Sequence, residues 1–390
     1  MKSIVQYFHP LVWIILCGTI FARTASFMAI PFLALYLHNE LNASPLLIGL
    51  TLGVAPLFST FGGLIGGYLT DRFERKYIII ITVFTWSITF IAFAFAPTAG
   101  IFVILNALNG LCRSFFEPGT QALMIDFTED AKKRRLYSVR YTAINIAAVI
   151  GPLLGVWIAS LSSASVPFII TGLMYGMYGV FLCIVLNRYE SKQVMLKGKH
   201  KVRAIFTALS RDRKLFYFIL AGILISIGYS QFDSTLPQLI DLTVEDGVQL
   251  FSYVVVANSI TVLALQLPLT ILIEKAEIFS ALKIGIIIFS IGLLLFGIAQ
   301  NEWMFIGGMI VFSIGEIFCF PTMNAVIESI APDDQKGTYL GASQLKNIGG
   351  FIGPIFGGWL LVAALDWMYV IIAVIMFSSM FIYRKALKSI

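Results

Sequence analysis

The sequence predicts an all-α polytopic membrane protein whose twelve transmembrane helices form two pseudo-symmetric six-helix bundles. Composition, the spacing of apolar segments and an internal repeat support this prediction. Of the 390 residues, 58% are hydrophobic and only 12% are charged, whereas soluble domains are about 45–50% apolar and about 25% charged. A single water-soluble core cannot bury so many apolar residues, so we expect them to lie in a bilayer.

Twelve apolar segments are each long enough to cross a hydrocarbon layer of about 30 Å as a tilted helix. We number them spans 1 to 12, and they fall at 11–37, 45–69, 77–97, 99–125, 138–161, 166–187, 215–240, 248–273, 279–299, 302–327, 338–362 and 366–385. The first run continues past the length of a signal-peptide core and lacks a small-residue cleavage site. We therefore expect it to be a membrane span and not a cleaved leader.

Lysine and arginine are distributed unevenly between the two sets of connecting loops. They cluster in the loops at 70–76, 126–137, 188–214 and 274–277, which define the basic side, and are absent from the loops near 38–44, 98, 162–165, 241–247, 300–301 and 363–365, which define the opposite side. The positive-inside rule then predicts a multi-pass membrane protein with the basic side and both termini in the cytoplasm. The net charge of +6 follows this topology and forms no aromatic-interleaved basic face, so we expect no nucleic-acid partner.

An internal repeat divides the chain into two halves. The segment 150–157 in span 5 (IGPLLGVW) returns 202 residues later at 352–359 in span 11 (IGPIFGGW), and Tyr137 and Asn145 return as Tyr339 and Asn347. A shared register over several positions indicates two related bundles. We predict a first bundle at 1–187, a cytoplasmic linker at 188–214 and a second bundle at 215–390.

Two motifs carry a resemblance to a known family. The segment 67–76 (GYLTDRFERK), between spans 2 and 3, resembles the loop signature of the major facilitator superfamily, and the glycine–proline pattern of span 11 is similar to that of its drug:proton antiporter branch. The segments 231–237 and 315–316 are similar to those of Gram-positive multidrug exporters, and this resemblance implies a bacterial cell membrane. Asn106 departs from this pattern, because the family places an arginine there in span 4, and Arg140 stands where an acidic residue is expected.

The resemblance implies roles for two sets of residues. A latch that holds one conformation closed on the basic side would use Gly67, Asp71, Arg72, Arg75, Lys76 and Asp126, although these charges could instead serve only to fix topology. The antiporter-type motif comprises Gly151, Pro152 and Gly155 in span 5 and Gly349, Gly353, Pro354, Gly357 and Gly358 in span 11. Six prolines are expected to interrupt their helices: Pro31, Pro118, Pro152, Pro237, Pro321 and Pro354.

Charged residues deep inside the spans are the strongest indication of function, because each costs about 2.5–3.5 kcal/mol at mid-bilayer on insertion scales. They are Arg23 in span 1, Arg113 and Glu117 in span 4, Asp233 in span 7 and Glu316 in span 10. Spans 1, 4, 7 and 10 line the central cavity in the fold that the resemblance implies. We expect Asp233, Glu316 and Glu117 to bind protons or cations and Arg113 to pair with Glu117 four residues along the helix. Arg23 could anchor an anionic substrate, and static ion pairs are the alternative for the set.

Arg140 and Lys346 lie near the basic ends of spans 5 and 11. Long cationic side chains at that depth can extend to the lipid headgroups, and this is the interpretation that the sequence favours for both. The four cysteines fall in apolar runs without metal-ligand spacing, so we expect neither a metal site nor a cofactor.

These features favour a proton-coupled antiporter that exports hydrophobic, cationic small molecules by alternating access. One alternative keeps the fold and exports a specific metabolite, a metallophore or a lipid-like amphiphile. Another is a receptor or an enzyme, but no catalytic residue is predicted, because metal, nucleophile-elbow and phosphate-loop motifs are absent from the sequence. The expected partners are the small-molecule substrate, protons and the bilayer, and we expect a monomer.

Overall fold

The computed structural model describes residues 7–72, 75–129, 132–188, 208–332 and 335–387, and within these ranges the side chains of 64–72, 75, 122, 134, 138, 274, 336 and 337 fall outside the description. Among the described residues, twelve helices are long and apolar enough to cross a bilayer, which confirms the predicted spans. In order they are Pro10–Asn39, Pro45–Gly63, Lys76–Ala94, Ala99–Asp126, Arg135–Leu161, Val166–Arg188, Arg213–Thr243, Gly247–Ile273, Ile278–Gly297, Glu302–Ile330, Thr338–Ala363 and Leu365–Leu387. Span 2 continues as helix to Arg72.

Polar side chains begin several of these helices by accepting hydrogen bonds from free backbone amides. His9 precedes span 1, and its Nδ1 accepts from the amide of Leu11 at 3.2 Å. Asp212 precedes span 7 and accepts from the amide of Lys214 at 2.7 Å, while its other carboxylate oxygen accepts from the Tyr339 hydroxyl at 2.5 Å. Asp212 therefore starts span 7 and also ties it to span 11.

Breaks in the helices occur in spans 1, 7 and 11. A short 3₁₀ segment at Ile30–Phe32 interrupts span 1 and contains Pro31, as expected. Span 7 consists of helices Arg213–Tyr229 and Gln231–Thr243, and span 11 consists of Lys336–Ser343, a 3₁₀ segment at Gln344–Ile348 and Gly349–Ala363. The expectation that the other prolines interrupt their helices is wrong: Pro118, Pro152, Pro237, Pro321 and Pro354 lie inside continuous helices.

The helix pairings of the first half recur in the second. Spans 2 and 4, 1 and 5, 3 and 6, and 3 and 4 pack together, as do their counterparts 8 and 10, 7 and 11, 9 and 12, and 9 and 10. Each half has its own hydrophobic core, and Leu35 at the far end of span 1 joins the core of the second half. Between the halves, span 2 packs on span 11 and span 5 on span 8, which are symmetry-related pairs. The linker bounds stay a prediction, since 189–207 lie outside the described residues.

Candidate functional site

A carboxylate held by two guanidinium groups lies in the first half. Glu117 Oε1 accepts hydrogen bonds from Arg23 Nη2 and, at 3.0 Å, from Arg113 Nε. Arg113 and Glu117 lie on one face of span 4, four residues apart, while the Arg23 contact connects span 1 to span 4. The exposed fraction rises from 15% at Arg23 through 27% at Glu117 to 58% at Arg113. The cluster therefore faces open space on its Arg113 side.

Arg140 is a third guanidinium in this group, which differs from the expectation that it reaches the headgroups. Its charge interacts with those of Glu117 and Arg23. Its Nε atom is buried and has no hydrogen-bond partner among the described residues. The headgroup interpretation is wrong because span 5 turns this side chain towards spans 1 and 4, an orientation that its position near the end of a span did not reveal.

Glu316 is the central acidic residue of the second half. It lies fourteen residues from either end of span 10, Glu302–Ile330, or about 21 Å along the helix at 1.5 Å per residue. Tyr229 donates a hydrogen bond to Oε1 at 3.4 Å, and Asn258 donates one to Oε2 at 3.0 Å. Within the described part of the chain, no cationic side chain lies within 4.0 Å of this carboxylate.

Asp233 lies in the first turn after the break in span 7. The free amides and the positive dipole end of a helix start favour a carboxylate there. Asp233 is exposed, although its neighbours Phe232 and Ser234 are buried. Its charge interacts with those of Arg113 and Glu316. Asp233 thus interacts both with the charged cluster of the first half and with the acid of the second.

Charged and polar side chains of the two halves interact with one another at mid-span depth. Arg113 is exposed, lies at the middle of its span and interacts with Asp233 across the interface. Tyr141 of span 5, which is 39% exposed, interacts with Glu316. Ionised groups at this depth are tolerated when they face water and are costly when they face lipid. We therefore expect these side chains to face a water-accessible cavity between the halves.

The halves are in close contact on the opposite side of the protein. The rings of Phe32 and Phe251, from spans 1 and 8, have centroids 6.1 Å apart, and Gly49 of span 2 lies against the backbone of Pro354 in span 11. A cavity of about 110 Å³ remains there between spans 1, 5, 6 and 8. It is smaller than the roughly 300–1,000 Å³ of typical ligand pockets, so it is too small to hold a drug-sized ligand.

The glycines of the antiporter-type motif lie where helices approach each other closely. A methyl group added at Gly151 would stand 2.6 Å from Phe27 Cβ of span 1, and one at Gly353 would stand 2.9 Å from the Ile227 carbonyl oxygen of span 7. The other motif glycines with equally close neighbours are Gly155, Gly349, Gly357 and Gly358. Small residues permit such approach between helices in lipid. Their involvement in antiport stays a prediction.

The residues of the expected latch are only partly described. The side chains of Gly67, Asp71, Arg72 and Arg75 lie outside the described residues. Lys76 lies over the ring of Tyr77, 4.9 Å from its centroid, and Asp126 is exposed at the end of span 4. The latch stays a prediction.

A cluster of aromatic rings that includes Tyr229, a hydrogen-bond donor to Glu316, lies in the second half. The ring of Tyr229 stacks on Phe312 with centroids 6.1 Å apart and meets Phe320 edge-on at 5.0 Å, while Phe232 packs beside both Tyr229 and Phe312. Such rings supply apolar area, and their faces attract cations. The described residues contain no group of three potential metal ligands. Tyr229 and Phe320 are half-buried, whereas Phe232 and Phe312 are buried in the core of the second half.

Sequence reasoning missed Asn258 as a partner of Glu316. Its amide contacts the carboxylate and also donates to Ser313 Oγ at 2.9 Å. A mid-span asparagine was visible in the sequence, but its facing residue in span 10 was not. Asn106, which replaces the arginine expected in span 4, is buried and donates to the Thr51 carbonyl at 2.6 Å. It joins span 4 to span 2 and lies outside the charged cluster.

Comparison with known proteins agrees with this architecture. The family model of the Major Facilitator Superfamily matches residues 15–345 and 247–388. The uncharacterized MFS-type transporter YqjV of Bacillus subtilis is 36% identical over 90% of this chain and 86% of its own length. A Na(+), Li(+), K(+)/H(+) antiporter of Planococcus maritimus is 25% identical over 94% of this chain and 93% of its own. The multidrug resistance protein MdtH of Yersinia enterocolitica is 26% identical, over 86% and 82%.

Solved structures show the same fold. An auto-inhibited POT family peptide transporter superposes with a TM-score of 0.84 at 14% identity, covering 98% of this chain and 97% of that structure. The family and the relatives are transporters, so this chain is a multi-pass membrane transporter and not an enzyme. The chain belongs to the Major Facilitator Superfamily.

Proposed function

We propose that this transporter is a proton-coupled antiporter that exports hydrophobic, cationic small molecules by alternating access. The observation that carries the proposal is the pair of carboxylates, Asp233 and Glu316, inside spans 7 and 10 of the second half. Glu316 accepts only neutral hydrogen-bond donors among the described residues. An acid without a fixed cationic partner can take up either a proton or a cationic substrate, and this competition is the simplest form of exchange.

Alternating access requires the cavity to open to one side at a time. The contacts between spans 1 and 8 and between spans 2 and 11 close the opposite side. We propose that the cavity opens to the basic side in this state and that the basic side is cytoplasmic. A substrate would then enter from the cytoplasm or the inner leaflet, and protons would enter from outside after the switch.

The test is transport by proteoliposomes that contain the purified full-length chain. A fluorescent organic cation is supplied with and without an imposed pH gradient, and Glu316→Gln and Asp233→Asn are compared with Glu302→Gln. Glu302 is an exposed carboxylate in the first turn of the same span as Glu316. We expect gradient-driven transport to be lost in the two cavity variants and kept in the control. Unchanged gradient-driven rates in both cavity variants would contradict the proposal.

Exchange of alkali cations for protons is a second candidate, favoured by the similarity to the Planococcus maritimus antiporter. The Tyr229 hydroxyl contacts Glu316, and the Ser313 hydroxyl contacts Asn258, which itself donates to Glu316. Carboxylate and hydroxyl oxygens of this kind suit hard cations. Dissipation of a pH gradient by added sodium, lithium or potassium, without an organic cation present, would support this candidate. Dissipation only by the organic cation would exclude it.

A further inference from the structure

A groove of about 450 Å³ lies between the basic ends of spans 9 and 12, away from the charged residues described above. Span 9 packs on spans 10 and 12, and span 12 also packs on span 7, so both walls of the groove belong to the second half. Phe381, one of the lining residues, is 56% exposed, which places the groove at the outer surface of span 12. Its volume lies within the roughly 300–1,000 Å³ of typical ligand pockets.

Two cationic side chains line this groove from its two sides, Lys283 from span 9 and Arg384 from span 12. Both are exposed, and neither makes an ion pair or a hydrogen bond with the described residues. Lys283 lies five residues after the start of span 9, and Arg384 lies three residues before the end of span 12. At 1.5 Å per residue these positions are about 7.5 Å and about 4.5 Å inside the spans. Charges at that depth are costly unless they reach the phosphates of the headgroups.

The formal charges of the groove do not cancel. Among the described residues that line it, Glu277 is the only acid, and its Oε2 accepts a hydrogen bond from the Ser280 hydroxyl at 3.1 Å. Glu277 lies farther than 4.0 Å from both cations, since it forms no ion pair with either of them. Two cations and one carboxylate leave one positive charge in excess. A ligand with a net charge of about −1 neutralises the groove, whereas a zwitterion does not.

Apolar side chains line the deeper part of the groove. Phe381 and Met380 lie six and seven residues before the end of span 12, about one turn deeper in the span than Arg384. The groove is therefore cationic near the basic surface and apolar below it. A phospholipid has this same order of groups along its length, with a phosphate at the surface and hydrocarbon below. A soluble anion would use only the cationic part.

We infer that this groove binds an anionic phospholipid from the leaflet on the basic side. Its phosphate contacts Lys283 and Arg384, and the first part of an acyl chain lies against Met380 and Phe381. The competing interpretation is that each cation extends on its own to whichever headgroup is near, and it predicts no preference for one headgroup at the groove. The inference concerns lipid binding and does not depend on the proposed transport function.

The experiment compares two lipids with the same chains, dioleoylphosphatidylglycerol and dioleoylphosphatidylethanolamine. The full-length chain is purified in a non-ionic detergent and titrated with each lipid, and native mass spectrometry resolves the first lipid bound. Each basic residue near a membrane surface changes the affinity for an anionic lipid about fivefold. We therefore expect the first phosphatidylglycerol to bind about fivefold more tightly than the first phosphatidylethanolamine. Equal or tighter binding of phosphatidylethanolamine overturns the inference.

Variants locate the lipid. Lys283→Gln and Arg384→Gln should each lower the affinity for phosphatidylglycerol about fivefold and so remove the preference. Arg188→Gln is the control and should keep it, because Arg188 is an exposed arginine at the basic end of span 6. The two groove variants change different helices at exposed positions, so either one that keeps the helical circular dichroism of the parent tests the groove. A preference kept in the groove variants, or lost equally in the control, contradicts the assignment.

Glycerol 3-phosphate separates a lipid from a soluble phosphate compound. It has the phosphate but no acyl chain, so it forgoes the contact with Met380 and Phe381 and the hydrophobic contribution of that contact. We expect glycerol 3-phosphate at millimolar concentration to leave the first phosphatidylglycerol bound. Its displacement would assign the groove to a soluble anion and overturn the lipid proposal.

Discussion

Glu117→Gln should destabilise the protein, because Glu117 is the carboxylate that holds the first-half cluster together. Its Oε1 accepts from Arg23 and Arg113, and charge-assisted hydrogen bonds are worth about 1.5–3 kcal/mol each. Arg113 is 58% exposed, so solvent screens its share, and most of the effect comes from the largely buried Arg23 contact. We expect the free energy of unfolding to fall by about 2–3 kcal/mol, somewhat less than the 3–5 kcal/mol typical of a broken, fully buried pair.

The assay is reversible unfolding in mixed micelles, followed by circular dichroism. Glu129→Gln provides the matched control, since Glu129 pairs with Lys132 at 3.0 Å but is 73% exposed, and such surface pairs contribute about 0.2–1 kcal/mol. In the double variant with Arg23→Gln, part of the loss should be recovered, because neither charge is then left alone. Equal stability of Glu117→Gln and Glu129→Gln would refute this account of the cluster.

Two further predictions concern packing and the closed side. Gly357→Ala should lower stability by about 1–3 kcal/mol, since its methyl group would stand 2.8 Å from Thr235 Cγ2, whereas Gly307→Ala, with no neighbour within 4 Å, should not destabilise the protein in the same unfolding assay. After replacement of the native cysteines, Tyr137→Cys should react with a water-soluble thiol reagent added at the basic side, because Tyr137 is 44% exposed. Leu35 is buried between the halves, so Leu35→Cys should not react. Labelling of Leu35→Cys as fast as Tyr137→Cys would contradict closure of the side opposite the basic side.

The overall fold was predictable from the sequence because each step used a strong physical constraint. Apolar length fixed the spans, and the repeat at 150–157 and 352–359 anticipated the symmetric pairing of span 5 with span 1 and of span 11 with span 7. Proline was the weaker guide. A helix in the bilayer can lose one backbone hydrogen bond and continue. Pro118 and Pro354 therefore lie inside continuous helices and do not end them.

The site was predictable only in part. Charged residues inside a span could be recognised as functional candidates because each costs free energy in the bilayer. The spacing of Arg113 and Glu117 predicted their ion pair. The rotation of each span about its axis could not be derived, because lipid-facing and cavity-facing residues are both apolar on average. For this reason the orientation of Arg140 and the contact between Asn258 and Glu316 required the three-dimensional arrangement. The cytoplasmic location of the two termini and the monomeric state stay predictions.

The central claim is that ionised groups in the middle of the spans face a water-filled path between the halves. The most direct test compares Asp233→Cys with Val374→Cys in a background without native cysteines, using a membrane-impermeant methanethiosulfonate reagent that reacts with ionised thiols. Val374 lies near the middle of span 12 and is 62% exposed, but it faces outward as part of an apolar surface. We predict rapid labelling at position 233, slowed by a bound organic cation, and none at position 374. Equal labelling, or none at position 233, would contradict the account.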